Sequence, residues 1–270
     1  MGYETLQVCE AQCVAKSPHR RRVLVTGASS GIGTAFAKWY AENDCDVILV
    51  ARDAAALGEV AESVRRGGGT AEVIVADLSH REGVELVSGQ CGVVDVLVCN
   101  AGVTHAAAIG TSNRDDLDSL AYLMSAGVVR LCEAVVPGMV QRGSGDVIIV
   151  SSIAAFTPMR KAGAYAATKA HSTAYAKSMS LEVRDKGVRV VAVCPGYVRT
   201  DLHRRAGLEH LTHRVPNWMW LSADDVVQAA ERSLRRGRVV VVPGVVYRLV
   251  LPFLSSAVAQ GAWRRLTRRT

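Results

Sequence analysis

The sequence predicts a single α/β domain built on a doubly wound sheet of seven parallel strands. Three observations predict it: short β-branched runs recur along the chain, stretches of helical length separate them, and most of the runs are continuously apolar rather than alternating. Strands buried on both faces read this way, and the common means of burying both faces is to cover a parallel sheet with crossover helices. Composition agrees, since 49% of the 270 residues are hydrophobic, with 24 Gly and 3 Phe. That balance suits aliphatic strands under helices and excludes a disordered or fibrous chain.

The runs lie at Arg22–Thr26, Asp46–Ala51, Ala71–Ala76, Val94–Cys99, Asp146–Val150, Val188–Cys194 and Arg238–Val242. Between them, Ile32–Glu42, Ala54–Arg66, Arg81–Ser88, Arg114–Arg142, Gly163–Lys186 and Ala223–Arg236 have the length of crossover helices, and right-handed connections then set the topology. No internal repeat, low-complexity tract or linker divides the chain. Residues 1–20 read as an extension, 21–244 as the folded domain and 245–270 as an apolar and basic tail.

The seven cysteines show neither CxxC pairing nor Cys/His zinc spacing, and no signal peptide opens the sequence, so a reducing, cytoplasmic setting is expected. Cys45, Cys91, Cys99, Cys132 and Cys194 read as small core residues. Much of the net charge of +7 sits at the ends, in Arg20–Arg22 and in Arg264, Arg265, Arg268 and Arg269. Charge so placed argues against a nucleic-acid partner and agrees with an anionic membrane surface or with solubility.

Directly after the first run comes Thr26-Gly27-Ala28-Ser29-Ser30-Gly31-Ile32-Gly33, leading into an apolar-periodic helix. Glycines let a backbone turn sharply and approach a pyrophosphate, and a helix N-terminus offers that anion unpaired N–H groups. The spacing TGxxxGxG resembles the fingerprint of the short-chain dehydrogenase/reductase family, a Rossmann-type fold. Further positions carry the resemblance in order: Asp77-Leu78 after the third run, Asn100-Ala101-Gly102 after the fourth, and Pro195-Gly196 after the sixth, followed by Val198 and Thr200. The resemblance implies that Gly27, Ser29, Ser30, Gly31, Ile32, Gly33, Asp77, Leu78, Asn100, Ala101, Gly102, Pro195, Gly196, Val198 and Thr200 bind a nicotinamide dinucleotide.

The second run ends Val50-Ala51-Arg52-Asp53, with Ala at the position where NAD enzymes place a carboxylate. A 2′-phosphate is repelled by a carboxylate and attracted by Arg, so Arg52 points to NADP(H) over NAD(H). The other reading makes Arg52 a solvated loop residue; Asp53 reads as a helix cap in either case.

Tyr165 and Lys169 stand four apart on one helix face. An ammonium beside a phenol stabilises phenolate and brings its pKa toward the working range. A YxxxK pair is common on surfaces; within the resemblance it is the catalytic pair, which also meets the cofactor. Ser152, thirteen residues earlier, is the implied donor to a substrate carbonyl oxygen, and no GxSxG elbow supports a hydrolase. The activity implied is hydride transfer between nicotinamide and a carbonyl or alcohol, with a hydrophobic ketone, 3-oxoacyl or other lipid-derived substrate. The rival is a non-catalytic NADP-binding scaffold.

One position departs from the family pattern: Met124 stands where Asn usually helps fix a relay water beside the lysine. Either the main-chain carbonyl of Met124, assisted by Ser125, holds that water, or turnover is impaired. Residues 197–221 correspond to the family's substrate lid and hold His203, His210, His213 and the cluster Trp218-Met219-Trp220, read as exposed residues and as pocket wall or lid-base packing, with no metal. The uncharged stretch Leu249–Trp263 is short for a membrane span. It reads as an interfacial helix, with 249–269 on a membrane surface, or as packing on a sister subunit. Family resemblance implies a homodimer or homotetramer formed through the two long helices.

Overall fold

The apolar runs pair side by side because each buries backbone and side chains that water would otherwise have to solvate. Among the described residues, β1 (Arg22–Thr26), β2 (Asp46–Ala51), β3 (Thr70–Val75), β4 (Val96–Cys99), β5 (Gly145–Val150), β6 (Val188–Val193) and β7 (Val240–Val241) form one parallel sheet in the order β3-β2-β1-β4-β5-β6-β7. The computed structural model describes residues 20–104, 106–157, 160–200 and 215–254, with side chains as far as 249. The helices are α1 (Gly31–Glu42), α2 (Ala54–Arg66), α3 (Arg81–Gln90), α4 (Arg114–Ala121), α5 (Gly127–Arg142), α6 (Gly163–Val183), α7 (Ala223–Arg235) and α8 (Val245–Leu254).

Two cores flank the sheet. Phe36 of α1, Leu57 of α2 and Val226 of α7 share one with Val25, Val98 and Val191. Val87 of α3, Met139 of α5 and Met179 of α6 share the other with Leu24, Leu97 and Ile149. Covering both faces explains why the strands carry no polar alternation. Cys45, Cys91, Cys99, Cys132 and Cys194 are free and buried, in agreement with their reading as core residues.

Four details differ from the sequence reading. The strand expected over Arg238–Val242 pairs only at Val240–Val241, at the sheet edge beyond β6. The Val94–Cys99 run pairs from Val96 onward. At the opposite edge β3 is only partly covered, with Glu72 exposed on one face and Val75 on the other. The helix expected over Arg114–Arg142 is divided by a π-helical turn at Tyr122–Ala126, where the Gly127 N–H reaches back to the Tyr122 carbonyl. Gly127 permits this crowding: a Cβ there would lie 3.0 Å from that carbonyl oxygen. The turn holds one residue more than an α-helical turn, and it buries Met124.

The N-terminal arginines are engaged rather than free. Arg20 pairs with Asp44 at 3.2 Å, Arg22 with Glu72 at 3.0 Å, and Arg21 with Asp146. The Asp146 side chain is 3% exposed and also receives both arms of Arg189, at 2.6 and 2.9 Å. It thus locks the starts of β5 and β6 to the chain entering β1. Hydrogen bonds to a buried charge are worth more than neutral ones, so Asp146→Ala is expected to cost about 2–3 kcal/mol. Urea unfolding checks this, with a lower midpoint at an unchanged slope.

Candidate active site

β1 and β4 are neighbours, but the crossovers leaving them run to opposite faces, which opens a crevice at their C-terminal ends. Hydrogen bonds stitch its floor. The Asn100 N–H and Ala101 N–H donate to Thr26 Oγ1 at 2.9 and 3.0 Å, and Asn100 Nδ2 donates to the Thr26 and Gly27 carbonyls at 3.0 and 3.1 Å. The Asn100 side chain therefore shapes the glycine turn and is not turned outward to a ligand.

In that turn Gly27 and Gly31 adopt left-handed backbone, with φ of 65° and 57°. A Cβ at Gly33 would sit 2.1 Å from the Gly27 carbonyl oxygen, so only glycine lets α1 start this close to β1. The Ser30 side chain does not cap α1 and no acidic residue occupies its first turn, so the N–H groups of Gly31, Ile32 and Gly33 and the hydroxyls of Ser29 and Ser30 stand ready for an anion. Thr200 closes over the turn, its Cγ2 2.9 Å from where a Gly31 Cβ would be. These residues fit the pyrophosphate of a dinucleotide.

At the end of β2 Arg52 is exposed, and Asp53 caps α2 by accepting from the Ala56 N–H at 3.0 Å. Asp77 Oδ1 accepts from the N–H and hydroxyl of Ser79 at 2.9 and 2.7 Å. Burial works against its ionisation, yet these bonds, with the charges of Arg52 and His80, hold it below the usual carboxylate range. Leu78 and Val198 are buried in the cores, so any part they play at the surface falls to their main chain.

The side chains of Ser152, Tyr165 and Lys169 converge beyond the end of β5. Ser152 follows the strand and accepts from the Ala154 N–H at 3.2 Å. Lys169, on α6, donates to the Val150 carbonyl at 2.9 Å, with Nζ 5.8 Å from the centroid of the Tyr165 ring. Neighbouring Ser151 is structural, its hydroxyl donating to the Lys169 carbonyl at 2.9 Å.

Two expectations need correction here. Tyr165 is not held low in this structure: burial pushes the phenol up, with the Ser152 hydroxyl opposing. Lys169 is itself buried, and desolvation brings its ammonium down to about 8. The second correction concerns Met124. Its carbonyl accepts from the Ser172 hydroxyl at 2.6 Å, while the Ser125 hydroxyl turns back to the Ala121 carbonyl at the surface. Ser172 thus occupies one lone pair of that carbonyl, and Ser125, turned away, does not assist. The thioether instead lines the lysine pocket: a Cβ on Gly102 would lie 3.1 Å from Met124 Sδ and 3.6 Å from Lys169 Nζ. Sequence reasoning missed Ser172, although its place three residues past Lys169 on the same helix was a signal.

Of the Trp-Met-Trp cluster, Met219 packs on the core, and Trp220 lies 5.5 Å from the Tyr197 ring with the Arg199 guanidinium over it. Trp218 is 66% exposed. His203, His210 and His213 lie outside the described residues, as do the arginines at the C-terminus. Among the described residues no group of three or more His, Cys, Asp or Glu is placed to hold a metal.

Residues 21–210 match the short chain dehydrogenase family model. The chain belongs to the short-chain dehydrogenase family. It is 33% identical over 190 residues to the relative named probable oxidoreductase EphD of Mycobacterium tuberculosis, covering 68% of this chain and 32% of that one. The chain thus spans about a third of that relative's length. It is 33% identical over 182 residues to the 3-oxoacyl-[acyl-carrier-protein] reductase FabG of Vibrio harveyi, covering 66% of this chain and 74% of the relative. Among solved structures, the short-chain dehydrogenase from Sphingobium yanoikuyae in complex with NADPH matches with a TM-score of 0.78 and 29% identity, over 93% of this chain and 96% of that one.

The Lys169 ammonium is charged below about 8 and neutral above it. Where the charged form is needed, kcat/KM for carbonyl reduction falls as pH rises through that value. In Met124→Asn an amide oxygen can accept from the ammonium and stabilise it. The variant is expected to keep at least the unaltered rate at neutral pH and to move the falling limb upward, as pH profiles of both forms will show.

Proposed function

We propose that this protein reduces a hydrophobic ketone, a 3-oxoacyl or another lipid-derived carbonyl compound with NADPH. The convergence of Ser152, Tyr165 and Lys169 on the same sheet edge as the glycine turn carries the reading. Bound NADPH supplies a hydride at its nicotinamide C4. Ser152 donates to the carbonyl oxygen and orients it. Tyr165 delivers a proton to that oxygen as it gains charge, and the Lys169 ammonium stabilises the phenolate left behind.

The electrostatics support the reducing direction. A phenol pushed up by burial is protonated at neutral pH, which suits a proton donor and hence reduction. Arg52, exposed next to Ala51, which stands where NAD enzymes place a carboxylate, supports a 2′-phosphate ligand. The similarity to an NADPH complex supports the same cofactor, and the FabG relative supports a 3-oxoacyl-like substrate. The reading also includes a cytoplasmic homodimer or homotetramer formed through α4–α5 and α6, where Leu181 is exposed, with 249–269 on a membrane surface.

Tyr165→Phe is expected to lower carbonyl reduction by about 10²- to 10⁴-fold. NADPH affinity, measured by fluorescence titration, should stay unchanged. Near-normal turnover in this variant contradicts the mechanism, and an unaltered chain that binds NADPH yet reduces no carbonyl favours the scaffold reading. Arg52→Ala should weaken NADPH binding roughly tenfold, the scale of a lost charge-assisted hydrogen bond, and leave NADH binding unaffected.

A further inference from the structure

We propose that Tyr247, which lies beyond the last strand, is a positioning residue for nucleotide binding: it pegs the Pro195–Thr200 segment and joins the two ends of the 197–221 segment. The proposal rests on the reading of the glycine-turn crevice as a dinucleotide site. After β7 the chain reverses at Pro243-Gly244 into α8, whose Tyr247 is 6% exposed and belongs to the core that includes β4, β5 and β6. Its ring lies flat on Gly196, where a Cβ would meet three ring carbons at 2.1–2.5 Å. In this chain the glycine of the Pro195-Gly196 pair is thus required by Tyr247 itself.

The hydroxyl is used in both directions. It accepts from the Tyr197 N–H at 3.0 Å and donates to the Met219 carbonyl at 2.7 Å. One group therefore ties residue 197 to residue 219, reinforcing the Leu221 N–H to Tyr197 carbonyl and Arg199 N–H to Leu221 carbonyl bonds, both 2.9 Å. The segment so pegged reaches two parts of the crevice. The Pro195 carbonyl accepts from the Ile153 N–H at 3.0 Å, next to Ser152, and Thr200 closes over Gly31 of the glycine turn. Phenylalanine would keep the ring on Gly196 and lose both hydrogen bonds, which separates pegging from packing.

The test is Tyr247→Phe in the full chain, with three readouts: NADPH affinity by titration, amide hydrogen exchange at Tyr197, and kcat and KM for any carbonyl substrate. The proposal expects NADPH affinity to fall about five- to tenfold, the scale of a lost hydrogen bond to a group left unpaired. It also expects exchange at Tyr197 to quicken about tenfold, in proportion to the easier opening, while kcat stays within about twofold. NADPH affinity within twofold of the unaltered chain, with slow exchange at Tyr197, overturns it. A fall in kcat that tracks a loss of thermal stability also overturns it, since that is what a packing residue gives. If the unaltered chain binds NADPH but reduces no carbonyl, the functional reading fails while affinity and exchange still decide the role of Tyr247. If it binds no nucleotide, both fall together.

Discussion

The placing of β1 beside β4 governs everything at the site. Their crossovers depart to opposite faces of the sheet, so no helix can close over the C-terminal ends of these two strands. The crevice would leave backbone polar groups without partners if Thr26 and Asn100 did not satisfy one another across it. That exchange sets the glycine turn, the turn sets where α1 begins, and the open N-terminus of α1 makes the crevice a place for an anion. Ser152 at the end of β5 and Pro195 beyond β6 fall on the same edge because all the strands run parallel.

Charge at this edge is held against desolvation. A lysine inside a protein loses hydration, and Lys169 recovers part of it from the Val150 carbonyl while Met124 and Gly102 contribute no acceptor side chain. Its ammonium is consequently only moderately favoured near neutrality, and the neighbouring phenol remains protonated. The π turn contributes by directing Met124 inward, where its thioether fills space that a polar side chain would hydrate. Ser172 ties the Met124 peptide to α6, so this arrangement is built into the packing of two helices.

Much of this was legible in the sequence wherever a feature is local. Strands buried on both faces announce themselves as apolar runs, the glycine turn by its spacing, and Tyr165 and Lys169 by a separation of one helical turn. The edge strand β3 and the shortened β7 were less legible, because the number of neighbours a strand has depends on sheet order and not on its own residues. The π turn left no trace in Arg114–Arg142, since one extra residue in a turn alters neither composition nor apolar spacing. The role of Tyr247 left no local trace either. Tyr247 finds its partner fifty residues back, and its neighbours in sequence describe only an apolar helix with one exposed side.

The central claim is that a hydride passes to a carbonyl carbon held beside Tyr165. It is tested most directly by incubating the protein with NADPH carrying deuterium at both positions of the nicotinamide C4 and a panel of hydrophobic ketones and 3-oxoacyl thioesters. The account predicts, for at least one compound, a deuterium on the new carbinol carbon and NADPH consumed in equal amount. NADPH that binds in the crevice while no compound gains deuterium would contradict it.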